Sequence, residues 1–475
     1  MIESATMSDG RAFPRLVVGG MSGSAGKTIV SLGLTHLLRR AGVDVRAFKK
    51  GPDYIDAAWL AWASSHIARN LDTFLMGQER VVESFTHDAT SSGINIIEGN
   101  RGLFDGFDAA GTHSTAALAR CLAAPVVLVV DARKVTRTAA AFVLGCQQLD
   151  RAVAIRGVIL NNVSGDRHRD VARDAIEAAC GIPVVGCLPR VKNGLLPERH
   201  LGLVPPQEHF TTDKLRQDLV QMMAGRVNMD AVLSIARGAP PLPCAQKSKA
   251  APPVASAVTI GYLKDAAFSF YYPDNLERLE QSGASLVPVS ALNAAALPNN
   301  LHALYIGGGF PETHARALSG NTSFLQSLRK AALRGLPIYA ECGGLILLAR
   351  NLLWKGDRYS MAAVFPFDVE VCDSPQGHGY SELRVIASNP FFPTGTTLRG
   401  HEFHYSRIIP CVETISTACL VERGTGCLDQ REFVMTNNVV ATYTHLHAVG
   451  TPEWAAGVVN AAQRFTPREI FAAGE

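Results

Sequence analysis

One stretch limits what this chain can fold into more than any other: RLVVGGMSGSAGKTIVSLGLTHLLRRAGVDVRAFKKGPDYID, from Arg15 to Asp56. An apolar strand, Leu16 to Val18, runs straight into the glycine-rich turn GGMSGSAGKT and then into the helical pattern IVSLGLTHLLRR. Glycines let the backbone curl so that successive N–H groups converge on one anion. The helix that follows aims its positive dipole end at the same point. Lys27 adds a mobile cation, and Thr28 adds a hydroxyl of the kind that ligates Mg²⁺. The expectation is a triphosphate cradle, with Gly23, Gly26, Lys27 and Thr28 as cofactor-binding residues; a structural glycine turn is the alternative. The common pattern asks for glycine five residues before Gly26, and Met21 stands there instead.

A chain of 475 residues is too long for a single core, so two domains are expected. An apolar share of 47% and a charged share of 18% describe a globular protein with well-filled cores. A net charge of +3, without a long Lys/Arg run, argues against nucleic acid as a partner. No apolar run approaches the roughly 18 to 20 residues that span a bilayer, and MIESATMSDGRAF has no signal-peptide core, so no membrane association is expected. The ten cysteines are scattered, with no CxxC pair. That argues against a disulfide framework or zinc knuckle and points to a reducing cytoplasm.

In the first half, Val43 to Phe48 reads as a second strand ending in KKGPDYID. Doubly wound sheets bind ligands at the carboxyl ends of their strands. Lys49, Lys50, Asp53 and Asp56 therefore become site candidates, against the alternative of a polar turn around Gly-Pro-Asp. RNLDTFLMG, from Arg69, is expected to open a helix or loop at the same rim. The strand Ile94 to Ile97 ends at Glu98, the placement of a Mg²⁺-holding carboxylate, and Asp105 follows in a glycine-punctuated loop. The apolar runs Ala124 to Arg133, Ala154 to Val163 and Ile182 to Arg190 read as buried parallel strands, with Asn161 placed to meet a purine edge. Strands alternate with helical segments, which defines an α/β domain. NGLLPERHLGLVPPQEH, around Arg199 and His200, is expected to be a rim loop, either structural or catalytic.

Residues 236–257 are rich in proline, alanine and lysine and read as the linker, giving domains at 1–235 and 258–475. The second domain is again α/β. ALYIGGGFPETHA supplies a strand and three glycines, and LPIYAECGGLILLAR a strand expected to end at Ala340 before Cys342 at a sharp turn. A cysteine at a helix N-terminus has its thiolate favoured by the dipole, and small neighbours permit a strained elbow. Gly308 and Gly309 are expected to offer backbone N–H groups to an oxyanion. In VVATYTHLHAVG, His445 is the expected base for Cys342, with His447 structural or supporting; a two-histidine metal site is the alternative. The position two residues after His445 holds no acid, so a Cys–His dyad is expected rather than a triad. RGHEFHYSR is expected to shape the pocket.

Taken together, GGMSGSAGKT, FKKGPDYID, NLD, EGNRGLFDG, LPERHLGL, GGGFPE, AECGG, GHEFHYS and TYTHLH resemble, in order and over nearly the whole chain, the cobyrinic acid a,c-diamide synthase family. The resemblance implies an N-terminal P-loop domain similar to dethiobiotin synthetase, with a parallel sheet, and a C-terminal class I glutamine amidotransferase α/β domain. It implies ATP and Mg²⁺ as cofactors, and glutamine and a carboxylated tetrapyrrole as substrates; a homodimer is compatible with it. By the same resemblance Asp53, Glu98 and Asp105 match the acidic synthetase positions, with Thr28, Asp53 and Glu98 near the metal. Tyr54 and Ile55 match residues contacting the macrocycle, Cys342 the nucleophile and His445 its activating histidine. Many relatives carry one lysine before GPDYID, so Lys49 and Lys50 together suggest contact with an extra substrate carboxylate. Corrin precursors, siroheme and sirohydrochlorin, with or without nickel, all remain open as the macrocycle. A regulatory P-loop ATPase is the reading from a different class, and it leaves Cys342 without a role.

Overall fold

The computed structural model describes residues 10–191, 195–196, 198–199, 202–208, 212–243, 258–411 and 414–467. The chain divides into two compact units, Met1–Ser248 and Lys249–Glu475. None of the described helices is long and apolar enough to cross a membrane.

The first unit is built on seven parallel strands: β1 (Arg15–Gly20), β2 (Val45–Lys50), β3 (Arg69–Leu71), β4 (Ile94–Glu98), β5 (Val126–Asp131), β6 (Ile155–Val163) and β7 (Val184–Pro189). Their order is β3-β2-β4-β1-β5-β6-β7. Strand β1 is fully buried and pairs with β4 on one side (Val18 opposite Glu98) and β5 on the other (Val18 opposite Val127). Both faces of such a sheet are covered, which is why β5 carries five buried residues in succession. The glycine turn thus leaves the middle of the sheet at its carboxyl edge, where the order reverses. The segment at Arg69 is the short edge strand β3, not the start of a helix. Pairing of Phe48, Lys49 and Lys50 with Arg69, Asn70 and Leu71 outweighs local preference there.

A two-stranded piece, β8 (Glu198–Arg199) and β9 (Gly202–Leu203), follows, and the Trp59 indole donates to the Val204 carbonyl at 3.0 Å. His200 and residues 244–257 lie outside the described residues. The start of the expected linker differs from expectation. Ala236 and Arg237 close the helix Met229–Arg237, and Leu242 exchanges backbone hydrogen bonds with Arg11. The buried Arg15 guanidinium donates to the Pro240 carbonyl at 2.8 Å, which satisfies a charge that could not otherwise be buried.

The second unit has a ten-stranded sheet. Its parallel half is β11-β10-β12-β13-β22, formed by β10 (Val258–Leu263), β11 (Ala284–Val289), β12 (Ala303–Ile306), β13 (Ile338–Glu341) and β22 (Val439–Thr442). It continues antiparallel through β21 (Arg431–Thr436), β20 (Thr417–Arg423), β17 (Gly377–Val385), β18 (Thr397–His404) and β23 (His445–Leu446). A second sheet joins β14 (Asn351–Trp354), β15 (Asp357–Ser360), β16 (Phe367–Val371) and β19 (Ser406–Pro410). Trp454, on the helix Pro452–Arg464, packs edge-on against Tyr305 and Tyr339 at 5.1 and 5.7 Å, pinning that helix across β12 and β13.

Candidate active sites

In the first unit Gly26 ends the turn at φ +97°, in the left-handed region, and caps the helix Lys27–Arg40. A Cβ there would lie 2.2 Å from the Asn161 side-chain nitrogen, so only glycine fits. Gly23 faces open space, and its lack of a side chain is not demanded by packing. Lys27 folds back over the turn and donates to the carbonyls of Ser22 (2.9 Å) and Gly23 (3.3 Å). Burial, with Lys49 nearby, lowers its pKa to about 8. The Asn161 amide donates to the Ala25 carbonyl at 3.0 Å and so braces the turn. Strand β6 runs on past it to Val163, so Asn161 lies within the sheet rather than at its end.

Thr28 Oγ1 donates to Glu98 Oε1 at 2.8 Å, and Lys49 Nζ reaches the same oxygen at 2.8 Å and Asp56 Oδ2 at 2.6 Å. Glu98 is fully buried, and its Oε2 has no hydrogen-bond partner among the described residues. Burial, with Asp56 adding to it, raises the Glu98 pKa to about 7 against the pull of Lys49. An orphaned carboxylate oxygen beside a threonine hydroxyl is a hard-oxygen donor set that fits Mg²⁺. Asp53 caps the helix Tyr54–Ser64, its Oδ1 accepting from the Asp56 amide at 2.8 Å. Burial and the neighbouring Asp56 raise its pKa to about 6. Tyr54 and Ile55 open the same helix, both half-buried.

Asp105 is exposed, and its Oδ2 accepts from the Gly102 amide at 2.8 Å, while Leu103 donates to the Gly20 carbonyl at 2.7 Å. Asp105 therefore shapes the loop lying against the cradle. The two lysines lie at the carboxyl end of β2, as expected, but their side chains are buried. Lys49 lies between Asp56 and Glu98, and Lys50 pairs with Asp72 at 3.6 Å. An ammonium taken out of water needs such counter-charges. Burial works against the Lys49 ammonium, yet Asp56 and Glu98 outweigh it and hold its pKa above the ordinary lysine value. For Lys50 burial prevails over Asp72, and the pKa falls.

In the second unit β13 runs one residue further than the sequence suggested, to Glu341, and Cys342 follows at φ +48°, ψ −94°. This is a strained conformation for a side chain with a Cβ, of the kind stored at functional turns. Its amide donates to the Thr442 carbonyl at 2.7 Å, tying the turn to β22. Close approach explains the glycines that follow. A Cβ on Gly343 would lie 3.1 Å from the Gly309 nitrogen, and one on Gly344 2.7 Å from the Ile306 carbonyl oxygen. Gly309 itself leaves 2.1 Å between its would-be Cβ and the Ala267 carbonyl oxygen. The glycines of GGGFPE thus pack directly on the residue after Cys342.

The thiol does not follow the expectation of a dipole-favoured thiolate. Burial, then Glu312 and Glu341, push the Cys342 pKa up to about 12. The resting group is a protonated thiol that needs a base. His445 is buried, and its Cε1 would meet a Cβ on Gly308 at 2.8 Å, which places the imidazole edge over the glycine loop. Its Nδ1 lies 3.1 Å from Glu341 Oε2. An acid partner therefore exists where the sequence suggested a bare dyad, and it precedes the cysteine instead of following the histidine. A charged residue ending an apolar strand was the available signal.

His447 has other partners than His445. It packs on Tyr272 at 4.5 Å, and its Nε2 lies 3.7 Å from Asp274, so the pair does not converge on a metal. From GHEFHYS, His401 stacks on His445 at 5.0 Å, and Glu402 accepts backbone amides from Thr425 and from Gly426 at 3.1 Å. His404 stacks on Tyr443 at 3.7 Å.

Two family models match the chain: a CobQ/CobB/MinD/ParA nucleotide binding domain over residues 16–204 and a CobB/CobQ-like glutamine amidotransferase domain over residues 259–452. Fold and sites together define a glutamine amidotransferase joined to a nucleotide-binding domain. The chain is 42% identical to a cobyrinate a,c-diamide synthase of Magnetococcus marinus over 93% of its own length and 96% of the relative's. It is 38% identical to one of Dehalococcoides mccartyi (95% and 99%) and 39% to one of Syntrophotalea carbinolica (94% and 98%). The chain belongs to the cobyrinate a,c-diamide synthase family of glutamine-hydrolysing amidotransferase ligases.

Proposed function

We propose that the chain amidates the a and c acetate carboxylates of a cobyrinate-type tetrapyrrole, using ATP to activate each carboxylate and glutamine as the nitrogen source. The observation that carries this is the pairing, on one chain, of a P-loop beside the buried Glu98 with a strained Cys342 whose following glycine packs on the loop that His445 lies against. A carboxylate does not accept ammonia directly, because oxide would have to leave. In the synthetase domain a carboxylate oxygen of the substrate attacks the γ-phosphorus of ATP. The bond to the bridging oxygen breaks, and ADP leaves behind an acyl phosphate. The backbone of the turn and Lys27 hold the phosphates, while Asn161 and Asp105 keep the turn and its neighbouring loop in place. Thr28 and Glu98, with Asp53 beside them, are the residues that would hold Mg²⁺, which supplies charge neutralisation on the transferring group when bound.

In the glutaminase domain the Cys342 sulfur attacks the glutamine side-chain amide. Its proton passes to His445 and then to the departing nitrogen, leaving a thioester that water clears to glutamate. Backbone N–H groups at Gly308 and Gly309 receive the developing oxyanion. The ammonia attacks the acyl phosphate and phosphate leaves. Tyr54 and Ile55, half-buried beside Asp53, contact the macrocycle. Lys49 and Lys50 act from within the sheet as the buried counter-charges of Asp56, Glu98 and Asp72. All described cysteines are free, in keeping with a reducing cytoplasm.

The names carried by the relatives favour a corrin substrate over siroheme or sirohydrochlorin, and a regulatory ATPase leaves the Cys342 arrangement without purpose. The test is mass spectrometry of cobyrinate, siroheme and sirohydrochlorin, each incubated with the protein, ATP, Mg²⁺ and glutamine. Cobyrinate is expected to exchange two carboxyl OH groups for NH₂. Amidation of another macrocycle in its place would overturn the substrate assignment, and amidation of none would overturn the reaction.

A further inference from the structure

Glu341 is fully buried, and the groups that meet its two carboxylate oxygens come from two other strands. From β12, the Tyr305 hydroxyl donates to Oε2 at 3.1 Å. From β23, the Leu446 amide donates to Oε1 at 3.3 Å, and His445 Nδ1 lies 3.1 Å from Oε2. Strand β13 itself delivers Glu341 to that point one residue before the nucleophile. A carboxylate without a proton can only accept, so His445 Nδ1 carries the hydrogen and Nε2 keeps its lone pair. The Nε2 edge of the ring lies against Gly308, 3.4 Å from where a Cβ would stand, in the loop packed on Gly343. His401, stacked at 5.0 Å and 22° to the ring, fixes its plane.

We propose that Glu341 is the positioning residue of the glutaminase reaction, fixing the tautomer and orientation of His445 and balancing the imidazolium that forms when Cys342 gives up its proton. The inference rests on the roles of Cys342 and His445 given above. Glu341 takes no proton itself. The hydrogen moves from Cys342 Sγ to His445 Nε2 as the S–C bond forms, and on to the amide nitrogen as the C–N bond breaks. The same negative charge disfavours a resting thiolate at Cys342. The three tyrosines and the histidine nearest the pair stay neutral near pH 7, while Glu312 and Glu432 add negative charge around Cys342 and Tyr339. Burial holds Tyr271, Tyr305 and Tyr339 above the ordinary tyrosine value and His401 well below the ordinary histidine value.

The test compares glutamine hydrolysis by the full chain and by Glu341→Gln, Glu341→Asp and His445→Ala across pH, with ammonium-dependent amidation as the folding control. Glu341→Gln is expected to lower kcat by about 10³–10⁴-fold with KM for glutamine little changed, and to regain rate as pH rises. Glu341→Asp is expected to restore part of the loss. A Glu341→Gln kcat within about three-fold of wild type, or a loss that neither pH nor Asp relieves, overturns the proposal. If His445→Ala leaves hydrolysis intact, the proposed reaction itself fails; if only Glu341→Gln is silent, this inference alone fails. Should Glu341→Gln not fold, Tyr305→Phe takes its place, expected to lower kcat several-fold at constant KM. An unchanged kcat there overturns the proposal equally.

Discussion

At the scale of single residues, the first unit is dominated by charge held out of water. Glu98 titrates near 7 in the folded chain against an ordinary 4.5, because burial, aided by Asp56, opposes its charge more than Lys49 favours it. The folded state therefore binds this proton more tightly than the unfolded state does. The stability it contributes is complete below 4.5 and is lost as pH rises through about 7. In Mg²⁺-free buffer the Tm of the wild type relative to that of Glu98→Gln is expected to fall between those values. A difference that is flat or rises would contradict the assignment. Much at this scale could be read from the letters: Lys27, Thr28, Glu98, Cys342 and His445 all sit where strand ends and glycine turns put them. What could not be read was direction. Nothing in FKKGPDYID says that both lysines turn inward, or that the Asn161 amide is spent on Ala25, because those outcomes depend on partners in other strands.

At the scale of elements, the second unit depends on how closely backbone can approach backbone. The loop after β12 lies on the turn after β13, and His445 on β23 lies against that loop. Gly308→Ala would place a methyl 2.8 Å from His445 Cε1 and 3.4 Å from Nε2. The imidazole has to move, and displacement of about 1 Å costs on the order of 10²-fold in rate. Glutamine hydrolysis is expected to fall by that factor while ammonium-dependent amidation persists; an unchanged rate would show that the ring does not lie where the loop places it. Alternation of strand and helix was legible throughout, since apolar runs bounded by glycine and proline are a local signal. The edge strand β3 was not, because three residues pairing with a neighbour leave no periodicity to detect. Nor was the role of Glu341, since its meeting with His445 joins positions 104 residues apart.

At the scale of the whole molecule, the chain joins a nucleotide-binding domain to a glutamine amidotransferase domain. Under the proposed function one unit activates a carboxylate, and the other releases nitrogen from glutamine. The division was visible in the proline- and lysine-rich stretch after Ala236, although its first residues belong to the first unit, held by Arg11 and Arg15. If the two halves are chemically separate, the nitrogen source can be replaced without touching the synthetase. The most direct measurement is amidation of cobyrinate by Cys342→Ala with ATP and Mg²⁺, supplied either with glutamine or with an ammonium salt. The expected result is no amide from glutamine and near wild-type amidation from ammonium. Loss of both activities, or retention of both, would contradict the assignment of nitrogen release to Cys342.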